Sequence, residues 1–174
     1  YGKPLIAWTI DAAIKSKLID RVIVSTDSDK IKRLAIKHGA EAPFLRPKNI
    51  SLDQSRDYSL IRHCLNYLST NDFKTDLFLY LRPTQPLRTT KEINEAIREF
   101  CSKNRVDGLR TTIPSLYPPF WNRILTKNKI LKPLHPNLRN FTSMPRQKLP
   151  PTVVCDGHVD IFKASKYIKN KGND

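Results

Sequence analysis

The unbroken apolar run Leu77-Phe78-Leu79-Tyr80-Leu81 limits this chain more than any other feature. A strand that is apolar at every position, rather than at every second one, must be covered on both faces. That is the situation of a strand in a sheet sandwiched between helices. The sequence around it supplies such helices. Pro4 can open a helix to about Lys17, with Leu5, Trp8, Ala12 and Leu18 at near-helical spacing. Arg21–Thr26 is short and β-branched and predicts a buried strand ending at Asp27. Ser28 can cap a helix that buries Ile31, Leu34 and Ala35 and stops at Gly39.

The alternation continues along the chain. Ala42–Leu45 predicts a second short strand. A helix follows, with Leu60, Ile61, Cys64, Leu65 and Leu68 inward. After the apolar run, Ile93, Ala96, Ile97 and Phe100 set a helix from about Thr90 to Lys103, and Gly108–Ile113 predicts another strand. Helices and strands in strict alternation predict an α/β fold with a doubly wound, mainly parallel sheet. More than half of the 13 prolines fall between Pro114 and Pro151, which excludes regular helix there. Within that stretch Ile124-Leu125 and Ile130-Leu131 flank a hairpin turn. Strand character returns over Val153–Ile161, broken at Asp156-Gly157. At 174 residues the chain fits one domain, 1–174, with a Pro-rich insertion over 114–152.

Charge is the unusual part of the composition: 31 Lys and Arg against 16 Asp and Glu, formally +15. Nucleic acid is one partner for such a chain. The basic residues are spread evenly, however, and no RNA- or DNA-binding pattern accompanies them, so they read as a solvated surface or as a setting for acidic substrates. No apolar run nears the length of a membrane span, and no leader pattern opens the chain, so a cytoplasmic protein is expected. The chain opens on Tyr1 rather than Met, so an N-terminus removed or not captured is expected. Cys64, Cys101 and Cys155 are far apart, and His38, His63, His135 and His158 are ungrouped. Neither set has metal-ligand spacing.

Ligands of open α/β sheets bind beyond the carboxyl ends of the strands. This rule selects Ser25-Thr26-Asp27, the loop Arg82-Pro83-Thr84-Gln85-Pro86-Leu87-Arg88, and the turn after Thr111. In the 82–88 loop two prolines stiffen the backbone, so Thr84, Gln85 and both arginines are held ready for a carboxylate or phosphate. The same residues equally describe a rigid turn with no ligand. Arg46-Pro47 and Pro145-Arg146-Gln147 carry the same two readings.

Taken together, these loops resemble the acylneuraminate cytidylyltransferase (CMP-sialic acid synthetase) family. The resemblance runs from Gly2-Lys3-Pro4-Leu5-Ile6-Ala7-Trp8 to about Ile168. It rests on Asp20-Arg21-Val22-Ile23-Val24-Ser25-Thr26-Asp27-Ser28, on Gly39-Ala40-Glu41-Ala42-Pro43-Phe44-Leu45-Arg46-Pro47 followed by Asp53, on the 82–88 loop in place of a QPTSPLR stretch, and on Arg146-Gln147-Lys148-Leu149-Pro150 in place of RQxLP. It implies a Rossmann-like nucleotidyltransferase that moves CMP from CTP to a 2-keto-3-deoxy sugar acid and releases pyrophosphate, with Mg²⁺ neutralising the phosphates. By matched position, Arg46 contacts the cytosine, and Ser55 and Asp57 lie along the nucleoside. Arg82, Thr84, Gln85, Arg146, Gln147 and Asp156 fall to the sugar acid. No residue is implied as a catalytic nucleophile or base. The family's homodimers use the inserted segment, so 114–152 is the expected dimerisation element.

This chain departs from the family at both ends. The basic glycine loop that precedes the first helix (RxGSKxxxxKN) and two metal-holding aspartates near the C-terminus have no counterpart. The Mg²⁺ ligands are therefore expected outside this chain, and the chain alone is expected not to turn over. Two substitutions touch specificity. Arg82 stands where many members have Gln, and Asp156-Gly157-His158-Val159-Asp160 replaces NGAIY. Asp160 or Asp156 could pair with Arg82 or help hold a metal, and a merely ion-paired strand residue is an equal reading of Asp160. The variant pattern implies an acceptor other than N-acetylneuraminate. A Kdo-type or other sugar nucleotidyltransferase, or a non-catalytic nucleotide- or polyanion-binding module, are the other functions compatible with the sequence.

Overall fold

A computed structural model of the chain describes residues 2–134, 136–141 and 143–169. These divide into two compact units, one of residues 2–111 with 157–169 and one within 112–156.

The first unit holds the helices and most of the three-stranded sheet. Helix α1 (Leu5–Ile14) begins one residue after Pro4, which caps it with extended backbone. In α2 (Asp29–Lys37) the Ser28 side chain accepts from the Ile31 amide, and the helix stops at Gly39, whose φ is +87°. Helix α3 covers Asp57–Thr70. Strand β1 is Leu77–Tyr80. Helix α4 (Thr90–Ser102) opens with a capping box: Thr89 accepts from the Glu92 amide, and the Glu92 carboxylate accepts from the Thr89 amide. Strands β2 (Gly108–Pro114) and β5 (Val153–Lys163) complete a sheet of order β1-β5-β2. Helix α5 is Ala164–Lys169.

Both faces of β1 are covered, as its apolar run requires. Leu77 and Leu79 pack into a cluster with Ile93, Ile97 and Phe100 of α4, Ala12 of α1, and Val159 and Ile161 of β5. Phe78 and Tyr80 turn the other way, onto Ile61 and Leu65 of α3. Every β1 residue nonetheless stays half-exposed, because β1 lies at the end of this strand order.

Two expectations change in form. β1 pairs with β5 antiparallel, from Leu77↔Lys163 to Tyr80↔Asp160, and β5 runs against β2 in the same sense, from Lys163 N bonded to Asp107 O to Val159 N bonded to Thr111 Oγ1, so the three-stranded sheet is not the mainly parallel one expected. The expected strands 21–26 and 42–45 are two extended segments joined by one parallel bridge, Ile23↔Glu41. The Glu41 amide donates to Val22 O and the Val24 amide to Glu41 O, each at 2.8 Å. Val22 and Val24 still pack against Ile10, Ala35 and Ala40.

The second unit contains the Pro-rich segment. The expected hairpin forms from β3 (Arg123–Leu125) and β4 (Leu131–Pro133), turning at Lys129 with φ +59°. The rest is short 3-10 turns at Pro119–Trp121, Pro136–Phe141 and Arg146–Lys148, as the proline density dictates. Among the described residues no helix is long and apolar enough to cross a membrane.

Candidate active site at the end of strand β1

The sheet's alternation decides what gathers at the carboxyl end of β1. Val159 and Ile161 of β5 face the α4 cluster, so Asp160 between them faces the α3 side. Tyr80 stands opposite Asp160 in the ladder and faces α3 as well. Asp57 is the first residue of α3, and Arg82 follows the strand by two residues, keeping the parity of Tyr80. Four polar side chains therefore converge.

Arg82 is at their centre. Its Nη1 donates to Asp160 Oδ2 at 2.7 Å, and its Nη2 donates to Asp57 Oδ2 at 2.8 Å. The guanidinium carbon lies 4.5 Å from the centre of the Tyr80 ring, and the Tyr80 hydroxyl donates to Asp57 Oδ1 at 3.0 Å. Burial works against the arginine's charge, but the bonds to Asp160 and Asp57 outweigh it and raise its pKa above the ordinary value. The Tyr80 hydroxyl is pushed up to about 12, first by burial and then by the adjacent Asp57 charge.

The two carboxylates differ in surroundings. Asp57 is half-exposed, whereas the Asp160 side chain is 4% exposed. Asp160 Oδ1 is buried with no hydrogen-bond partner, so Arg82 is its compensation. Gly157, at φ +67°, completes the enclosure: a Cβ there would lie 3.3 Å from Arg82 Nη1.

The other arginine of the 82–88 loop turns inward. Arg88 is 3% exposed. Its Nε donates to His158 O, its Nη1 to Thr9 Oγ1 at 3.3 Å, and its Nη2 to Arg82 O at 3.1 Å. It ties the loop to α1 and β5, so of the two guanidiniums expected to await an anion, Arg82 alone is turned to the cluster. Thr84 is exposed and Gln85 half-buried; the Gln85 amide closes a tight turn on Arg82 O at 3.2 Å.

The residues expected along the nucleoside lie on the segment between α2 and α3. Arg46 Nε donates to Ser51 Oγ at 2.9 Å, and its Nη2 is 3.7 Å from Asp27 Oδ1. The Arg46 amide donates to Thr26 O at 2.7 Å, which fixes it beside the strand-end residues selected from sequence. Ser55 Oγ accepts from the Leu52 amide at 2.8 Å. Ser55 also lines a depression of about 240 Å³ with Asn49, Leu52, Arg56 and Ser59. Asp57, expected on the nucleoside, is instead bonded to the sugar-assigned Arg82, so one cluster joins the two sets. Arg146 and Gln147 are exposed on a 3-10 turn of the second unit, and Asp156 is half-buried at its end.

Sequence reasoning did not find Tyr80 or Gly157 and left Asp160 open between three roles. The structure gives Asp160 to Arg82. Its signal in the sequence was a carboxylate set between Val159 and Ile161 in an otherwise apolar stretch.

These side chains do not fit a Mg²⁺ centre. Among the described residues no group of three or more His, Cys, Asp or Glu is placed to hold a metal, and a guanidinium already stands between Asp57 and Asp160.

Comparison with known proteins places the chain in a family. A family profile described as Cytidylyltransferase covers residues 1–140. The chain belongs to the cytidylyltransferase family. It is 31% identical over 169 residues to the post-translational flagellin modification protein B of Campylobacter coli, with 95% of this chain and 69% of that protein covered. It is 30% identical over 172 residues to the CMP-N,N'-diacetyllegionaminic acid synthase of Legionella pneumophila, covering 98% and 71%. Among solved structures, a CMP:2-keto-3-deoxy-manno-octonic acid synthetase complexed with CTP superposes with a TM-score of 0.63 at 12% identity, over 95% of this chain and 66% of that one. At that identity the likeness is one of fold. It places this cytidylyltransferase in the α/β nucleotidyltransferase fold expected from its sequence.

Proposed function

We propose that the protein carrying this chain transfers CMP from CTP to a sialic-acid-like 2-keto-3-deoxy sugar acid and releases pyrophosphate. The relatives support the nucleotide and the class of acceptor. One is named for making a CMP-linked diacetyllegionaminic acid, and the solved synthetase of the same fold holds CTP. The observation that carries the reading is the Arg82 cluster. An arginine at the tip of a sheet strand, with the buried Asp160 on Nη1 and the half-exposed Asp57 on Nη2, can take an anionic group on the Nη2 edge where that group displaces Asp57.

In this reading Arg46, fixed to Thr26 and Ser51, meets the cytosine, with Ser55 beside it along the nucleoside. Arg82 meets the carboxylate of the acceptor, which takes the place of Asp57 on Nη2. Phosphoryl transfer of this kind is mainly positioning and electrostatics, so Arg82 serves by orienting the acceptor's anomeric hydroxyl. The family resemblance further assigns Arg146, Gln147 and Asp156 to the acceptor and the segment 114–152 to a homodimer contact.

The test is pyrophosphate release by the protein with CTP, ATP, GTP or UTP against N-acetylneuraminate, N,N'-diacetyllegionaminate and 2-keto-3-deoxy-manno-octonate. CTP-selective release with at least one acceptor is expected. Binding that ignores the base and fades steeply with salt would indicate a polyanion-binding module instead.

A further inference from the structure

We infer that Asp160 is a positioning residue for acceptor binding, fixing the Arg82 guanidinium through Nη1 so that its Nη2 side alone is presented to the acceptor. The inference rests on the proposed function, in which Arg82 meets the acceptor.

Four restraints define the pose of Arg82: Asp160 at 2.7 Å, Asp57 at 2.8 Å, the Tyr80 ring at 4.5 Å, and the missing Cβ of Gly157. They are not equivalent. Asp57 is half-exposed, so water screens its bond and solvates it on release. Asp160 is buried and has no route to water, so it cannot let go of Arg82 without standing uncompensated. An incoming carboxylate can therefore replace Asp57 on Nη2 but cannot replace Asp160 on Nη1. The arginine meets its ligand with one edge already bound, which fixes both the plane and the direction of the free edge. Gly157 serves the same end by leaving the room in which Nη1 lies.

The test is steady-state kinetics of the protein with CTP and whichever acceptor of the three-compound panel it uses fastest. Asp160→Asn keeps an oxygen for Nη1 and removes the charge; Gly157→Ala keeps both charges and crowds the guanidinium. In each variant the acceptor KM is expected to rise about tenfold, the scale of one weakened charge-assisted hydrogen bond. The CTP KM should stay within about twofold. A purely structural role would raise both KM values together. That result, or an unchanged acceptor KM in a folded Asp160→Asn protein, overturns the inference. Circular dichroism checks folding, and if Asp160→Asn does not fold, Gly157→Ala decides by the same criterion. Absence of turnover with every acceptor in the parent protein removes the proposed function, and the inference with it.

Discussion

Tyr80 and Asp160 face one another across the β1·β5 ladder, and that register carries a buried carboxylate to the end of the strand from which Arg82 emerges. A shift of one residue would turn Asp160 into the α4 cluster, where Val159 and Ile161 now pack.

This pairing makes Arg82 and Asp160 inseparable energetically. Arg82→Gln alone strands a carboxylate that is 4% exposed, and removing one partner of such a pair costs about 3 kcal/mol. The double variant Arg82→Gln/Asp160→Asn should recover most of that loss, a coupling of roughly 1–3 kcal/mol. Urea unfolding of the parent, both single variants and the double variant measures it, and additive losses would contradict the pairing.

Arg46 makes a different prediction. Its side chain bonds Ser51, which is part-buried, and Asp27, which is exposed, so its loss strands no fully buried partner. Arg46→Ala should weaken CTP binding about tenfold, near 1.4 kcal/mol, with the thermal midpoint little changed. Calorimetric titration with CTP checks it, and equal affinity in parent and variant would remove Arg46 from the nucleotide site.

The sequence and the structure agree where the determinants are local. Periodicity placed α1 to α4, the proline density kept helices out of 114–151, and the turn between Ile124-Leu125 and Ile130-Leu131 made a hairpin. Disagreement begins where the partner lies far along the chain. Nothing near Val153–Lys163 fixes which way it runs beside Leu77–Tyr80, so the antiparallel pairing was not legible. An arginine next to a proline reads the same whether it faces solvent or the interior. Only the third dimension showed Arg88 buried against Thr9 and His158 while Arg82 faces Asp57. The role of Asp160 was illegible for the same reason, since a carboxylate in a strand declares its partner only once the register is known.

The three cysteines should separate by reactivity. Burial pushes the Cys64 thiol up to about 11, with the nearby Arg21 offsetting only part of that, so almost no thiolate is present at neutral pH. Cys101 and Cys155 are exposed. Ellman's reagent at pH 8 should modify two thiols quickly in the native protein and the third only on unfolding. Rapid labelling of Cys64 would mean that the α3 face opens readily.

Acid should weaken the α4 N-terminus in a way that Glu92 controls. Hydrogen bonds from the Thr89 amide and hydroxyl, and then His158, hold the Glu92 carboxyl below its ordinary value of 4.5. A carboxyl whose folded pKa is depressed binds fewer protons folded than unfolded. Its contribution is therefore complete above pH 4.5 and disappears as the pH falls through the lower folded value. In Glu92→Gln that contribution is absent at every pH, so the variant should be less stable than the parent at pH 7, with a smaller deficit at pH 3. Thr89→Ala, which removes the cap, should cost about 1 kcal/mol at pH 7. Urea midpoints at the two pH values read both effects. A Glu92→Gln deficit as large at pH 3 as at pH 7 would mean that the side chain acts there by packing and not by charge.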